Sequence, residues 1–437
     1  MTTHDATFDS IAPLLESTGP QDIVWIQVGW LLDGVSDRPL RNAHLVYDSE
    51  KIRYVGEVPP PPELLGDGQQ TPTAILPDYG VLPGLVEAHA HFFLEGAPLD
   101  LARRKHALTL SQEEILRPMP QRLDKLLRLG IMAVRDAGDN KGVGLRLQSM
   151  YRSQSIANPP MPYIDSPGAG FHHKGRYGSF MGTPVEDYGT PKDCVAAHVA
   201  QGVSRIKLIA TGIINFKKGA VTSAPQMLEE ELQAFVEAAR SSGVPTFAHA
   251  SGTDGIEGVI QAGVDSVEHG FFITTEQLMR MRDQGLIWVP TFAPVQIQID
   301  RAEAMGWSQQ IVDHLQRIID AHQQRLREAF DMGVTVIAGS DAGSCGVPHG
   351  HGFLWELELM EQAGISPLAV LNAATGRSAA ALNIPGPVGR IAAHYKPRMI
   401  LTTHNPLNSV VELRKPKTTV FDGRVFEDDG KINEDGM

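Results

Sequence analysis

Between about residue 84 and residue 380 the chain repeats one pattern: an amphipathic stretch with helical spacing ends in a glycine, and a short apolar run follows. The runs read GLVEAHAH (84–91), IMAVRDAG (131–138), MPYIDSPG (161–168), SRIKLIATG (204–212), PTFAHA (245–250), DSVEHG (265–270), LIWVPTF (286–292) and TVIAGSDAG (335–343). Gly130, Gly202, Gly243, Gly263, Gly285 and Gly333 each stand just before a run, where a helix end needs a residue that accepts positive φ. Residues 227–243 and 311–333 are the clearest helical stretches between runs. Strands that alternate with helices pair in parallel through right-handed crossovers, and eight such units close into a barrel. The predicted fold class is therefore α/β, a (β/α)8 TIM barrel over residues 84–384.

The flanks have another rhythm. Residues 21–83 carry strand-like pieces broken by the proline cluster VPPPPELLGDG, and residues 385–437 carry more of them, such as TTVFDGRVFEDD. Two β-rich flanks around a barrel predict one small β-sandwich built from both termini. Residues 1–20 read as a loosely docked N-terminal extension.

Composition narrows the function classes. The net charge of −13 over 437 residues, with no basic tract, argues against nucleic acid as a partner. Two cysteines, Cys194 and Cys345, give no disulfide framework. The start MTTHDATFDSIAPLLESTGP lacks a basic end followed by an apolar stretch, and no run is apolar enough to span a membrane. A cytoplasmic enzyme with a small-molecule substrate is the expectation, and a homo-oligomer is compatible with it.

Candidate chemistry lies at the carboxyl ends of the runs. His89 and His91 sit one residue apart in an extended segment, so both side chains point the same way. Chance alone would give on the order of half such a pair in this composition, so spacing by itself decides little. The remaining runs decide it. Lys207 lies in the fourth, His249 and His269 end the fifth and sixth, and Asp341 ends the eighth. In a barrel these ends converge on one face, where active sites lie. Imidazoles and a carboxylate suit zinc and similar ions, and six groups are too many for one open site but a fair number for two metals. Asp341 is the natural group to take a proton from an attacking water and pass it to a leaving group. Lys207 conflicts with this charge unless it is neutral, outside the site or chemically altered, for instance as an anionic carbamate.

PGLVEAHAH, VRDAG, RIKLIATG, TFAHA, SVEHG and GSDAG together resemble the successive signatures of the amidohydrolase superfamily, in its two-metal form with a carbamylated lysine. The resemblance runs from about residue 22 to the C-terminus. It is nearest to the prolidase-like and imidazolonepropionase-like branch, which cleaves dipeptides or N-acyl amino acids. It implies that His89, His91 and Asp341 hold one metal, His249 and His269 the other, and Lys207 bridges both as a carbamate. Zinc is the expected ion. The implied reaction is attack of a metal-bridging hydroxide on the amide carbonyl of a small carboxylate-bearing substrate. A cyclic amide, lactone or phosphoester hydrolase built on the same metals is the alternative. TGII (211–214) stands where relatives often carry TGG, which leaves specificity open.

For substrate binding, the long loop GFHHKGRYGSFMG (170–182) offers His172, His173, Arg176 and Tyr177 as a trap for a carboxylate, for which arginine's fork is well shaped. His349, in a glycine-rich loop after the eighth run, reads as part of the substrate wall. Asp136 is expected either to steady a ligating histidine or to pair with Arg135.

Overall fold

The eight apolar runs are the staves of a barrel in the computed structural model, which describes residues 11–97, 99–153, 159–384, 386 and 388–431. They are β1 (Leu85–Ala90), β2 (Ile131–Asp136), β3 (Tyr163–Asp165), β4 (Ile206–Ile209), β5 (Thr246–Ala250), β6 (Ser266–His269), β7 (Ile287–Val289) and β8 (Thr335–Val336). Every neighbouring pair is parallel where a ladder forms. The third stave is split. β3 pairs with β2, whereas Gly170–His172, a few residues on, pairs with β4 through Phe171 opposite Leu208. The eighth stave is regular for only two residues, yet residues 337–342 continue along β1 and close the barrel. The Ala88 N–H bonds to the Ala338 carbonyl at 2.9 Å, Asp341 N–H to His89 at 2.8 Å and His91 N–H to Ala342 at 2.7 Å.

Helix ends explain why the staves start where they do. All six glycines singled out above take φ between 70° and 84°, the left-handed region that a Cβ disfavours. Three of them, Gly263, Gly285 and Gly333, are the left-handed caps of helices Thr253–Ala262, Thr275–Gln284 and Gln309–Met332.

Both termini join one seven-stranded sheet, in the order Arg424–Asp428, Lys417–Phe421, Arg398–Thr402, Ala74–Pro83, Val24–Leu31, Leu40–Tyr47, Ile52–Gly56. Its apolar face, including Ile26, Val28, Leu45, Val81 and Leu401, forms a core of its own. Strand Ala74–Pro83 lies parallel to Val24–Leu31 and, at its far end, antiparallel to Arg398–Thr402. It then passes through Gly84 straight into β1.

The loose N-terminal extension needs correcting from residue 11 onward. Leu15 is fully buried, the Tyr47 hydroxyl donates to its carbonyl at 2.7 Å, and the Ser17 N–H bonds to Gly423 at 2.9 Å. Apolar side chains at Ile11 and Leu15, four apart on a short turn of helix, give this segment a face to bury. Residues 1–10 and 432–437 lie outside the described residues. Among the described residues no helix is long and apolar enough to cross a membrane.

Candidate active site

The carboxyl ends of β1, β4, β5, β6 and the segment after β8 meet around one cavity of about 240 Å³. His89, His91, Lys207, His249, His269 and Asp341 all line it, so the structure brings together every residue the strand ends had suggested. His89 Nε2 lies 3.7 Å and His91 Nε2 3.5 Å from the same oxygen, Asp341 Oδ1. His89, His269 and Asp341 each present a ligand atom within 4.8 Å of the others. The His249 ring sits 4.6 Å from that of His269, and His269 5.0 Å from His89.

Two backbone distortions make this convergence possible. In a regular strand Glu268 and His269 would point to opposite faces. His269 instead adopts φ +67°, which turns its ring inward beside Glu268. Asp341 does the same at φ +56°. Left-handed backbone at residues other than glycine costs on the order of 1–3 kcal/mol each and persists where the surroundings enforce it. Trp288 helps enforce it at β6, since its indole N–H donates to the His269 carbonyl at 2.9 Å.

Each imidazole has one nitrogen committed and one left for the cavity. His89 Nδ1 donates to Glu268 Oε2 at 2.5 Å, and His91 Nδ1 to the Gly138 carbonyl at 2.9 Å. His269 Nδ1 meets Thr291 Oγ1 at 2.7 Å, and His249 Nε2 the Gly212 carbonyl at 3.3 Å. Burial, reinforced by the nearby Lys207 charge, pushes His91 down to about 4 and His249 to about 3. Burial likewise holds His89 and His269 well below the usual imidazole value. All four rings are neutral at neutral pH, the state a metal takes. His89 Nε2 and Asp341 Oδ1 are buried with no hydrogen-bond partner. Two facing acceptor atoms without a donor between them fit a cation.

Lys207 is 1% exposed, and its amine lies 4.5 Å from the centre of the Phe247 ring. Burial pushes it down to about 8, so much of it is unprotonated in mildly alkaline solution. Burial pushes the Asp341 carboxyl up to about 7, against the pull of Ser344, Lys207 and Arg104. A group with that value can both take and return a proton near neutrality.

The expected substrate-binding loop is only partly where the sequence put it. Tyr177 lines the cavity, its ring 5.3 Å from His249. His172, His173, Arg176 and His349 do not line it. His173 is held between Glu186 and Glu231, at 2.9 Å from each, and His172 Nδ1 bonds the His173 carbonyl at 2.8 Å. Arg176 spends its guanidinium on the carbonyls of Ala224, at 2.5 Å, and Pro225. His349 is buried, stacked on Phe92 and bonded to the Leu94 carbonyl at 2.9 Å. Glu186 and Glu231 thus claim His173, and two backbone carbonyls claim Arg176, away from the cavity.

The cation the sequence reading missed is Arg104, on helix Leu101–Ala107 in the β1–β2 connection. It lines the cavity with one long hydrogen bond, 3.5 Å to the Gly343 carbonyl. Around it the wall is apolar, with Leu94, Phe180, Met181, Ile213, Phe216 and Phe271. Asp136 takes neither role expected of it: it accepts from Ser166 Oγ at 2.8 Å and the Phe92 N–H at 3.4 Å. Arg135 pairs with Glu268 at 2.8 Å, and Glu268 is the carboxylate that steadies a candidate ligand. An acid in the middle of a buried strand, SVEHG, was the available signal.

Comparison with known proteins agrees with this geometry. The amidohydrolase family pattern matches residues 81–426. Ochratoxinase of Aspergillus niger is 25% identical over 439 residues, covering 95% of this chain and 89% of that protein. An uncharacterised protein of Mycobacterium tuberculosis is 26% identical over 349 residues, 79% of this chain and 85% of its own. A solved Xaa-Pro dipeptidase with methionine bound in its active site superposes at a TM-score of 0.76 and 25% identity, over 93% of this chain and 100% of its own. The crystal structure of the A. niger ochratoxinase gives 0.75 at 22% identity, over 93% and 95%. The chain belongs to the amidohydrolase family, among its prolidase-like and ochratoxinase-like members, and is a hydrolase of amide bonds.

Proposed function

We propose that this hydrolase is metal-dependent and cleaves the amide bond of a small substrate with a free carboxylate, such as a dipeptide or an N-acyl amino acid. The observation that carries the reading is the pair of buried, unpartnered acceptors, His89 Nε2 and Asp341 Oδ1, facing each other across 3.7 Å in a ring of neutral imidazoles. His89, His91 and Asp341 would hold one divalent ion and His249 and His269 a second, with zinc the expected metal. Lys207, as a carbamate, would lie between them. When bound, such ions acidify a water and polarise the scissile carbonyl.

The chain's own residues supply the rest. Asp341 accepts the proton of the attacking water and returns it to the leaving nitrogen. Burial holds the Tyr177 phenol above its usual value, so it stays protonated and can donate to the carbonyl oxygen as charge builds there. The apolar wall lowers the polarity beside the site, which strengthens each of these contacts. Arg104 offers its fork to the substrate carboxylate. The Xaa-Pro dipeptidase named above supports the bond type. The apolar lining favours a substrate with a sizeable apolar group.

Zinc-loaded protein should hydrolyse members of a panel of dipeptides and N-acyl amino acids, faster than lactones or phosphotriesters. Asp341→Asn should keep most of its metal and lose about 10²–10⁴-fold in kcat. A protein of full activity that binds no divalent ion, or an Asp341→Asn variant that turns over normally, would sink the reading.

A further inference from the structure

We propose that Glu268, gripped by Arg135, is a positioning residue for His89 that makes the metal at His89, His91 and Asp341 the tighter of the two. The proposal rests on the reading of His89 as a ligand and adds why the two metals are held unequally.

β6 places Ser266 and Glu268 on one face, toward β2, where Arg135 arrives. Arg135 Nη2 reaches both Glu268 oxygens at 2.8 Å, and Ser266 Oγ donates to one of them. The guanidinium is itself pinned. Its Nε donates to the Ala88 carbonyl at 2.6 Å, its Nη1 to Ser266 Oγ at 3.2 Å, and its centre lies 4.4 Å over the Phe247 ring. Glu268 is fully buried and Arg135 1% exposed. A buried pair of this kind returns little net stability once both charges have left water. Its geometry is nonetheless fixed in every direction, and one lone pair of Glu268 remains, aimed at His89 Nδ1.

That contact forces the proton onto Nδ1 and leaves the lone pair on Nε2, the atom facing Asp341. It also sets His89 apart from the other three. His91 and His249 bond to backbone carbonyls and His269 to a hydroxyl, all neutral acceptors. A carboxylate acceptor shifts more electron density onto the opposite nitrogen than a carbonyl or hydroxyl does. His89 is therefore the strongest donor of the four. β1 is held from below as well, because the His89 N–H bonds Glu87 Oε1 at 3.1 Å, and Glu87 also accepts from Ser340.

The test uses full-length zinc protein titrated with a chelator, so that the two zinc ions are released in separable steps. Wild type should show one tight and one weaker site. Glu268→Gln should weaken the tight site about 10–100-fold and leave the other unchanged. With cobalt in place of zinc, the same variant should shift the visible absorption of one site only. Removing one partner of the buried pair will itself destabilise the fold, so the decisive protein is the doubly neutral Arg135→Met/Glu268→Gln. It should recover thermal stability without recovering tight zinc. Recovery of both would make the pair structural glue and overturn the proposal. So would two unchanged zinc affinities in Glu268→Gln. A wild-type protein that binds no zinc would instead fail the reading of the site on which the proposal stands.

Discussion

Replacing Arg104 with methionine keeps a long unbranched side chain and removes the charge that the β1–β2 connection turns toward the cavity. If that guanidinium binds the substrate carboxylate, the loss is that of a charge-assisted hydrogen bond, about 1.5–3 kcal/mol. In kcat/KM this is roughly a 10- to 150-fold fall. Arg104 is half-buried and, among the described residues, its guanidinium makes one long hydrogen bond, 3.5 Å to the Gly343 carbonyl, so little of the effect should come from the fold. The informative assay compares each N-acyl amino acid with its own C-terminal carboxamide, which has the same shape and no charge. Wild type should prefer the acid, Arg104→Met should lose that preference through KM, and Arg104→Lys should fall between because it keeps charge without the fork. Equal losses on acid and carboxamide, or no loss on the acid, would refute the assignment.

Three further outcomes follow from the geometry. A Cβ at Gly339 would lie 2.6 Å from Val289 Cγ1 and 2.9 Å from His89 Cβ, so Gly339→Ala should cost about 1–3 kcal/mol and lower zinc content, seen by thermal melt and metal analysis; an unchanged melt would contradict the close packing. Burial pushes Glu356 up to about 8 from 4.5, against the N–H groups of Phe292 and Ala293 at 2.9 Å. The folded state thus keeps a proton that the unfolded chain releases, and this stabilisation, full below 4.5, is lost as pH rises through about 8. Urea midpoints of wild type should therefore fall more steeply across that window than those of Glu356→Gln, and parallel profiles would exclude the carboxyl. Finally, metal-free protein given zinc in CO₂-depleted buffer should regain activity slowly and bicarbonate should hasten it, because the neutral Lys207 amine is the form that captures CO₂; no bicarbonate effect would argue against the carbamate.

Much of this was legible before any coordinates. The glycine caps and apolar runs carried the barrel because both express local rules: positive φ at a helix end and burial of a short strand. The metal-ligand candidates followed because a barrel gathers strand ends whatever the loops do. The illegible part was everything set by tertiary partners. Nothing local told His173 that Glu186 and Glu231 would claim it, or Arg176 that two carbonyls waited across the loop. Arg104 lies in a stretch with no strand signal, so its approach to the cavity could not be read from periodicity. Glu268 was visible as an acid in a buried strand, yet its use depended on the turn at His269 that lets two successive residues face inward.

From Ala74 to Ala90 one strand leads into the next through Gly84, whose N–H is tied to Arg398 at 2.9 Å, with a bulge near residues 77–79 where the register against Val24–Leu31 shifts. A Cβ at Gly84 would strike Met132 Sδ at 2.3 Å, so the chain passes there through a gap that admits no side chain. The segment that anchors the terminal sheet and the segment that carries His89 are thus consecutive, with one residue between them. Trimming the C-terminal strands would unpair residues 80–83 and slacken the chain at the foot of β1, so the far end of the protein helps keep the candidate ligand histidines taut.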